Sequence, residues 1–391
     1  MQYQNPIFIP GPTNIPDSIR RAMAQPAWDH RTAAFDELIV PLCADIRRVF
    51  GTEQGDVALF TGSGTTGWDV AMGNLLAPGE RVLAANQGMF SQRWIDLARR
   101  MGLDVEVVEV EWGEGLPLET FESILAADTA GAIRAVLAVH NETSTGVTSE
   151  IGRLRAVLDG CDHDALLMVD GVSSVASLPF EMDRWGVDVA VSGSQKGFML
   201  PTGLAIVAVS QRAQAQLETV NHAQGHLDLR TIVQAGRQGG YPWTPAIGLI
   251  QALRVSVDLL LGEGLPQVYA RHTHMARGVR AAVNAWGLSI FAKDPALYSD
   301  TVTAIALPDA ISGKALVAHA NDRYGMSFGG GLGAFQDRLF RIGHLGSTTE
   351  SMILSGLATA EMAMADLGVP LDVGAGVAAA QQVYREGGVA G

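Results

Sequence analysis

The chain has 391 residues, 48 % of them hydrophobic and 17 % charged, which excludes a disordered chain and leaves room for more than one core. Its formal net charge of −14 argues against a nucleic-acid partner.

The N-terminal stretch MQYQNPIFIPGPTN has no basic segment followed by an apolar one. After the Pro- and Gly-rich IPGPTNIP, short apolar runs alternate with helical patterns. DVALF (56–60) runs into Thr61-Gly62-Ser63-Gly64-Thr65 and a helical stretch through Leu76. RVLAA (81–85) leads to NQGMF and the amphipathic SQRWIDLARRMG, and VEVVEV (105–110) precedes the helical LETFESILAA. AVLAVH (135–140) ends in NETSTG, ALLMVD (165–170) in GVSSV, and VDVAVSG (187–193) in Ser194-Gln195-Lys196; LAIVAVS (204–210) follows closely. This alternation predicts a mostly parallel sheet with helices on both faces, and ligands in such sheets sit beyond the carboxyl ends of the strands. From about residue 264 the pattern changes to a long helix (VYARHTHMARGVRAAVNAWG), strands TVTAIALP (301–308) and LFRIGHLG (339–346), and the helical SMILSGLATAEMAMADLG. That segment reads as a smaller α+β C-terminal domain. No apolar stretch reaches the roughly 20 residues of a spanning helix.

Two cysteines, Cys43 and Cys161, are too few for a disulfide framework or a thiolate metal site and fit a reducing interior. The histidines His140, His222, His226 and His344 lack ligand spacing with acids, and His272 and His274 lie at i, i+2 on different faces of one helix, so no metal is expected. The chain reads as a soluble cytoplasmic enzyme.

Only three of the 27 cationic residues are lysines: Lys196, Lys293 and Lys314. Chemistry that needs a deprotonatable amine cannot use arginine, so each lysine invites a reason. Lys196 ends an apolar strand among small neighbours, where an amine is desolvated or covalently used; a snorkelling surface lysine is the bland alternative. Asp170 ends ALLMVD, a run with no other polar group, and there it either holds a cationic ring nitrogen or caps a turn. Gly62-Ser63-Gly64-Thr65-Thr66-Gly67 matches a dinucleotide pattern, but Asn86 and Gln87 stand where a ribose-binding acid is wanted. What survives is a helix N-terminus with hydroxyls, suited to one phosphate or to plain capping. A phosphate cradle, an aspartate and a lysine on one sheet edge match the needs of pyridoxal 5′-phosphate: a Schiff-base amine, a partner for the pyridine nitrogen and a phosphate seat.

DGVSSV, MDRWGVDVAVSGSQKG, HNETSTGV, Tyr241-Pro242-Trp243-Thr244-Pro245 and FRIGHLG together resemble the class V, fold-type I aminotransferases, nearest the serine–, alanine– and aspartate–glyoxylate branch. The resemblance covers nearly the whole chain. It implies an α/β fold with an arm over 1–15, a large cofactor-binding domain over 16–263 with a mostly parallel mixed sheet, and a small domain over 264–391. It implies that Lys196 is the Schiff-base lysine and Asp170 the ring-nitrogen partner. Ser63, Gly64, Thr65 and Gln195 are similar to the phosphate contacts, Phe90 to the aromatic stacked on the ring, and Thr143 to a hydroxyl contacting the cofactor. Tyr241 and Thr244 resemble a pair that reaches the phosphate from the other subunit, implying a homodimer with shared sites. Arg341 resembles the arginine that clamps the substrate carboxylate.

The reaction implied is transfer of an amino group from an amino acid to glyoxylate, giving glycine and a 2-oxo acid. L-Serine, giving hydroxypyruvate, is the expected donor. L-Aspartate, giving oxaloacetate, is the main alternative, with Arg31 available for its second carboxylate, and alanine comes third. Relatives commonly carry a Phe-Phe-Asp run where this chain has His226-Leu227-Asp228, a departure that bears on donor shape. A nicotinamide dehydrogenase, a non-catalytic binding protein and a desulfurase each leave Asp170 or Lys196 unexplained or lack a well-placed cysteine.

Overall fold

The computed structural model describes residues 5–26, 28–219 and 225–387. Its strands are β1 (Ile7–Phe8), β2 (Asp56–Gly62), β3 (Arg81–Asn86), β4 (Asp104–Glu109), β5 (Ile133–Val139), β6 (Asn141–Glu142) and β7 (Val147–Thr148). They continue as β8 (Leu166–Asp170), β9 (Val189–Gly193), β10 (Gly203–Val209), β11 (Ser289–Ile290), β12 (Val302–Ala306), β13 (Ser327–Gly330) and β14 (Leu339–Gly343). The large sheet has seven strands in the order β2-β10-β9-β8-β5-β3-β4.

All neighbours in this sheet are parallel except at β10, which runs antiparallel to both β2 and β9. The link from Gly193 to Gly203 explains the reversal, since a parallel crossover needs about a dozen residues or more. Ser194 Oγ closes that link, donating to the Pro201 carbonyl at 2.7 Å and accepting from Leu204 N–H at 3.1 Å. Met199 adopts a left-handed φ of 60° in the same turn, and its N–H donates to the Lys196 carbonyl at 2.9 Å. Backbone strain of this kind persists only where the surroundings hold it in place.

Both faces of the sheet are covered, as its continuous apolar runs require. Leu59, Leu83, Val136, Leu167, Ala190 and Ile206 bury into one layer and Ala58, Val82, Leu137, Met168, Val189 and Val207 into the other. Burying each of the larger side chains contributes about 1.5–3 kcal/mol. The helix following β2 (Gly64–Leu75) lies flat on β9 because Gly67 lacks a side chain: a Cβ there would stand 2.3 Å from Val191 Cγ1.

The second sheet has the order β1-β13-β14-β12-β11 and its own apolar cluster around Phe8, Phe328, Phe340 and Ile342. β1, from the predicted arm, pairs in parallel with β13, and Phe8 stacks on Phe328 at 5.9 Å between ring centres. The N-terminal segment is therefore part of the C-terminal sheet. β13 (SFGG) was not read from the sequence, because two glycines weaken the alternation that marks a strand. The long helix begins at Leu265, three residues before the predicted start, with Pro266 in its first turn.

Candidate active site

The carboxyl ends of β2, β3, β5, β8 and β9 share one edge of the large sheet, because these five strands are mutually parallel. Asp170, the last residue of β8, is 4 % exposed, and its Oδ1 accepts from Val172 N–H at 2.7 Å. Burial pushes its carboxyl up to about 7; the Val172 N–H opposes this, Glu142 adds to it and the Lys196 cation pulls it back. Lys196, on the turn after β9, is also buried, and its Nζ donates to the Pro10 carbonyl. Burial lowers its ammonium to about 8, helped by the Arg341 cation and opposed by Asp170. The aspartate and the lysine thus act on one another across the same edge.

Ser63 stands at the N-cap of the helix Gly64–Leu75, its N–H donating to Thr66 Oγ1 at 3.2 Å. Gly64 is buried against Val172, whereas Thr65 is exposed. Gln195 faces this helix N-terminus: a Cβ built on Gly193 would lie 2.8 Å from Gln195 Oε1 and 3.3 Å from Gly64 N. That Oε1 is buried without a hydrogen-bond partner, which is costly for a polar atom unless a ligand completes it.

Phe90 is half-buried in the first turn of the helix Met89–Arg100, with the Arg93 guanidinium 5.3 Å from its ring centre. Thr143 is buried in the tight hairpin joining β6 to β7. Arg341, from β14, is 6 % exposed; its Nε donates to the Gly330 carbonyl and its Nη1 to the Thr143 carbonyl, both at 2.8 Å. Among the described residues it forms no ion pair. Burial lowers its guanidinium to about 10, while the Glu142 carboxylate raises it. A buried guanidinium with no carboxylate against it is poised to receive an anion.

Other expected residues lie apart from this cluster within one chain. The Tyr241 hydroxyl donates to the Leu59 carbonyl of β2, and Thr244, Trp243 and His226 are exposed. Arg31 is exposed and its guanidinium has no ion pair among the described residues. His272 and His274 do face different partners: His272 Nε2 accepts from Gly346 N–H at 3.0 Å, and His274 Nε2 lies 2.8 Å from Glu350. His344 bridges Thr303 and the Asp300 carbonyl, whereas His140 is buried among Phe180 and Trp185 with Nδ1 unpartnered. His222 lies outside the described residues. Cys43 sits buried in the helix Ala33–Phe50, where burial pushes its thiol up to about 12, so it holds its proton at neutral pH.

Sequence reasoning missed two contributors. The backbone of Pro10 and Gly11 meets the lysine; a Cβ on Gly11 would stand 2.5–2.7 Å from Lys196 Cδ, Cε and Nζ. Glu142 is the other, a wholly buried carboxylate three residues past β5, at the end of β6. Unlike Asp170, which ends its apolar run, Glu142 follows the run among polar neighbours, so that signal did not mark it.

These groups fit pyridoxal phosphate. A buried amine and a buried carboxylate share one sheet edge, a carboxamide oxygen unpartnered among the described residues stands beside a helix N-terminus, and the half-buried Phe90 and a guanidinium without an ion pair among those residues belong to the same set. Comparison with known proteins agrees. The family model "Aminotransferase class-V" matches residues 21–331. The chain is 53 % identical to L-aspartate–glyoxylate aminotransferase of Paracoccus denitrificans over 386 residues, 99 % of this chain and 98 % of the other. It is 49 % identical to serine–glyoxylate aminotransferase of Hyphomicrobium methylovorum, covering 97 % and 94 %. The crystal structure of pyridoxamine–pyruvate aminotransferase from Mesorhizobium loti superposes with a TM-score of 0.91 at 28 % identity, over 99 % of this chain and 100 % of that one. The chain belongs to the class V aminotransferases, transaminases of fold type I that depend on pyridoxal phosphate.

Proposed function

We propose that this chain is an amino acid:glyoxylate aminotransferase that makes glycine, with L-serine as donor. The observation that carries it is the joint burial of Asp170, Lys196 and an Arg341 that has no carboxylate partner among the described residues. Relatives of 43–53 % identity named for serine–glyoxylate or aspartate–glyoxylate transamination support the acceptor.

Pyridoxal phosphate, when bound, supplies an aldehyde for the amino group and a ring that draws electrons from the donor α-carbon. Asp170 would hold a proton at the ring nitrogen, its own carboxyl ionising once that cation faces it. Lys196, an amine already brought down to about 8, would bind the cofactor and carry the proton away from the donor α-carbon and back. Ser63, Gly64, Thr65 and Gln195 would hold the phosphate, Phe90 would lie flat on the ring, and Thr143 would offer its hydroxyl. Arg341 would grip the α-carboxylate common to the amino acid and the 2-oxo acid.

Tyr241 and Thr244 would complete the phosphate seat of a second copy, so the working unit is a homodimer with shared sites. The exposure of Thr244 and Trp243 in one chain supports this reading. The two sheets with separate apolar clusters support a large domain over 16–263 and a small domain over 264–391, with the arm over 1–15 contributing β1 to the small domain's sheet. No helix among the described residues is long and apolar enough to cross a membrane, and a cytoplasmic location fits the two unpaired cysteines.

A second reading, L-aspartate as donor, is favoured by the exposed Arg31, which has no ion pair among the described residues, and by the 53 % relative named for that reaction. A donor panel with glyoxylate as fixed acceptor, comparing serine, aspartate and alanine by kcat/KM, decides. Serine is retained if it leads; an aspartate lead that Arg31→Gln abolishes selects the second reading. No glycine from any donor overturns both.

A further inference from the structure

We propose that Glu142 is a positioning residue of this active site, its carboxylate fixing the seats of Phe90 and Arg341 together. The inference rests on the function proposed above.

Glu142 is fully buried and lies within salt-bridge distance of no cation among the described residues. Burial pushes its carboxyl above the usual range, and four hydrogen bonds oppose this by favouring the charged form. Oε2 accepts from the N–H groups of Phe90 and Ser91, both at 3.0 Å, and Oε1 from Ser144 N–H at 3.0 Å and Ser144 Oγ at 2.6 Å. The first two donors belong to the opening turn of the helix Met89–Arg100, whose N–H groups have no partner within the helix and whose dipole favours an anion. Ser144 Oγ in turn accepts from Met89 N–H at 2.9 Å. Gly88 makes the approach possible: a Cβ there would lie 2.4 Å from the Glu142 carboxyl and 2.6 Å from Ser144 Oγ. The main chain that carries Phe90 is thus clamped to the hairpin that carries Thr143.

The same carboxylate reaches Arg341 by charge. The next residue along, Thr143, gives its carbonyl to Arg341 Nη1. With no acid in contact among the described residues, the guanidinium is held by the Gly330 and Thr143 carbonyls, and the Glu142 charge partly offsets the lowering of its pKa by burial and by the Arg93 cation. The aromatic and the carboxylate clamp come from elements far apart in sequence, so one buried charge sets their relative position. That spacing matters because an angstrom of misplacement at a reacting centre is felt strongly in rate.

The test is Glu142→Gln, which keeps the shape but removes the charge and points an NH2 group at N–H donors. Three quantities are read: pyridoxal phosphate affinity of the cofactor-free chain by tryptophan quenching, KM against kcat for donor and glyoxylate, and the urea midpoint. The expected result is about tenfold weaker cofactor binding and about tenfold higher KM for both substrates, with kcat within about threefold. Combining it with Arg341→Gln should raise KM by less than the product of the single effects, since the charge then has nothing to hold. A lower urea midpoint with unchanged KM and cofactor affinity overturns the proposal. Should the glutamine variant fail to fold, Ser144→Ala removes one of the four bonds and should shift both quantities about threefold; no shift there overturns it too. Cofactor affinity is independent of the donor, so its result stands apart from any failure of glyoxylate transamination in the wild type.

Discussion

Arg341 donates from Nη1 to the carbonyl oxygen of Thr143, 2.8 Å away, although one lies on a strand of the small sheet and the other beyond the edge of the large one. A cation drawn across that junction is costly to bury alone, and among the described residues its remaining N–H groups meet no carboxylate. Arg341→Gln should raise KM for amino donor and glyoxylate alike by about a hundredfold, and Arg341→Lys by about tenfold, because a lysine keeps the charge without the two-pronged geometry. Steady-state kinetics on both substrates checks this; a rise confined to one substrate contradicts a shared carboxylate seat.

The amine of Lys196 titrates at about 8, lowered by burial first and by Arg341 second. Below that value the ammonium cannot attack an aldehyde; above it the free amine can. The rate at which cofactor-free protein captures pyridoxal phosphate should therefore climb about tenfold per pH unit up to about 8 and then level. Arg341→Gln removes a cation that lowers this pKa, so the levelling point should move to higher pH. Stopped-flow absorbance reads the rate directly, and levelling near the ordinary lysine value would refute the effect of burial.

Lys196→Ala should abolish the visible absorbance of bound cofactor and reduce glycine formation by at least about a thousandfold, since no other amine can take over the α-proton. Lys293 pairs with Glu111 and Glu114 on the surface, and Lys314 is exposed on the helix Gly313–Tyr324. A variant that turns over at near-normal rates would remove the lysine from its proposed role.

Gly11 has a φ of 99°, and a side chain there would collide with the end of Lys196. Gly11→Ala should strain the backbone and displace the amine, slowing cofactor capture by at least about tenfold. Differential scanning calorimetry alongside the capture rate separates this local effect from a general loss of stability. Wild-type capture would mean that the arm does not set the lysine's position.

Shared sites predict complementation. Mixing Lys196→Ala with Thr244→Ala protein, then unfolding and refolding together, should give heterodimers with one intact site, and about a quarter of wild-type activity overall. Activity no higher than the better parent would count against a phosphate contact from the second subunit.

Much of this site was legible along the chain because a parallel sheet gathers its strand ends on one edge. Asp170 and Lys196 each terminate an apolar run, and with only three lysines in the sequence the second stood out. Arg341 could be singled out only through the resemblance, since nothing local separates it from the many other arginines. Glu142 was hidden by its polar neighbours in HNETSTG, although it ends up the more deeply buried acid.

Two-sided burial and the reversal at β10 follow from local rules: apolar runs too long for one exposed face must be covered on both sides, and a short link after Lys196 must reverse direction. Those constraints act within a few residues and are written in the sequence. The meeting of Pro10 with Lys196, of Glu142 with the Phe90 turn and of Arg341 with Thr143 spans 186, 52 and 198 residues respectively. Contacts at such separations depend on how two sheets pack, through steric fit and buried charge, and only the folded chain decides them.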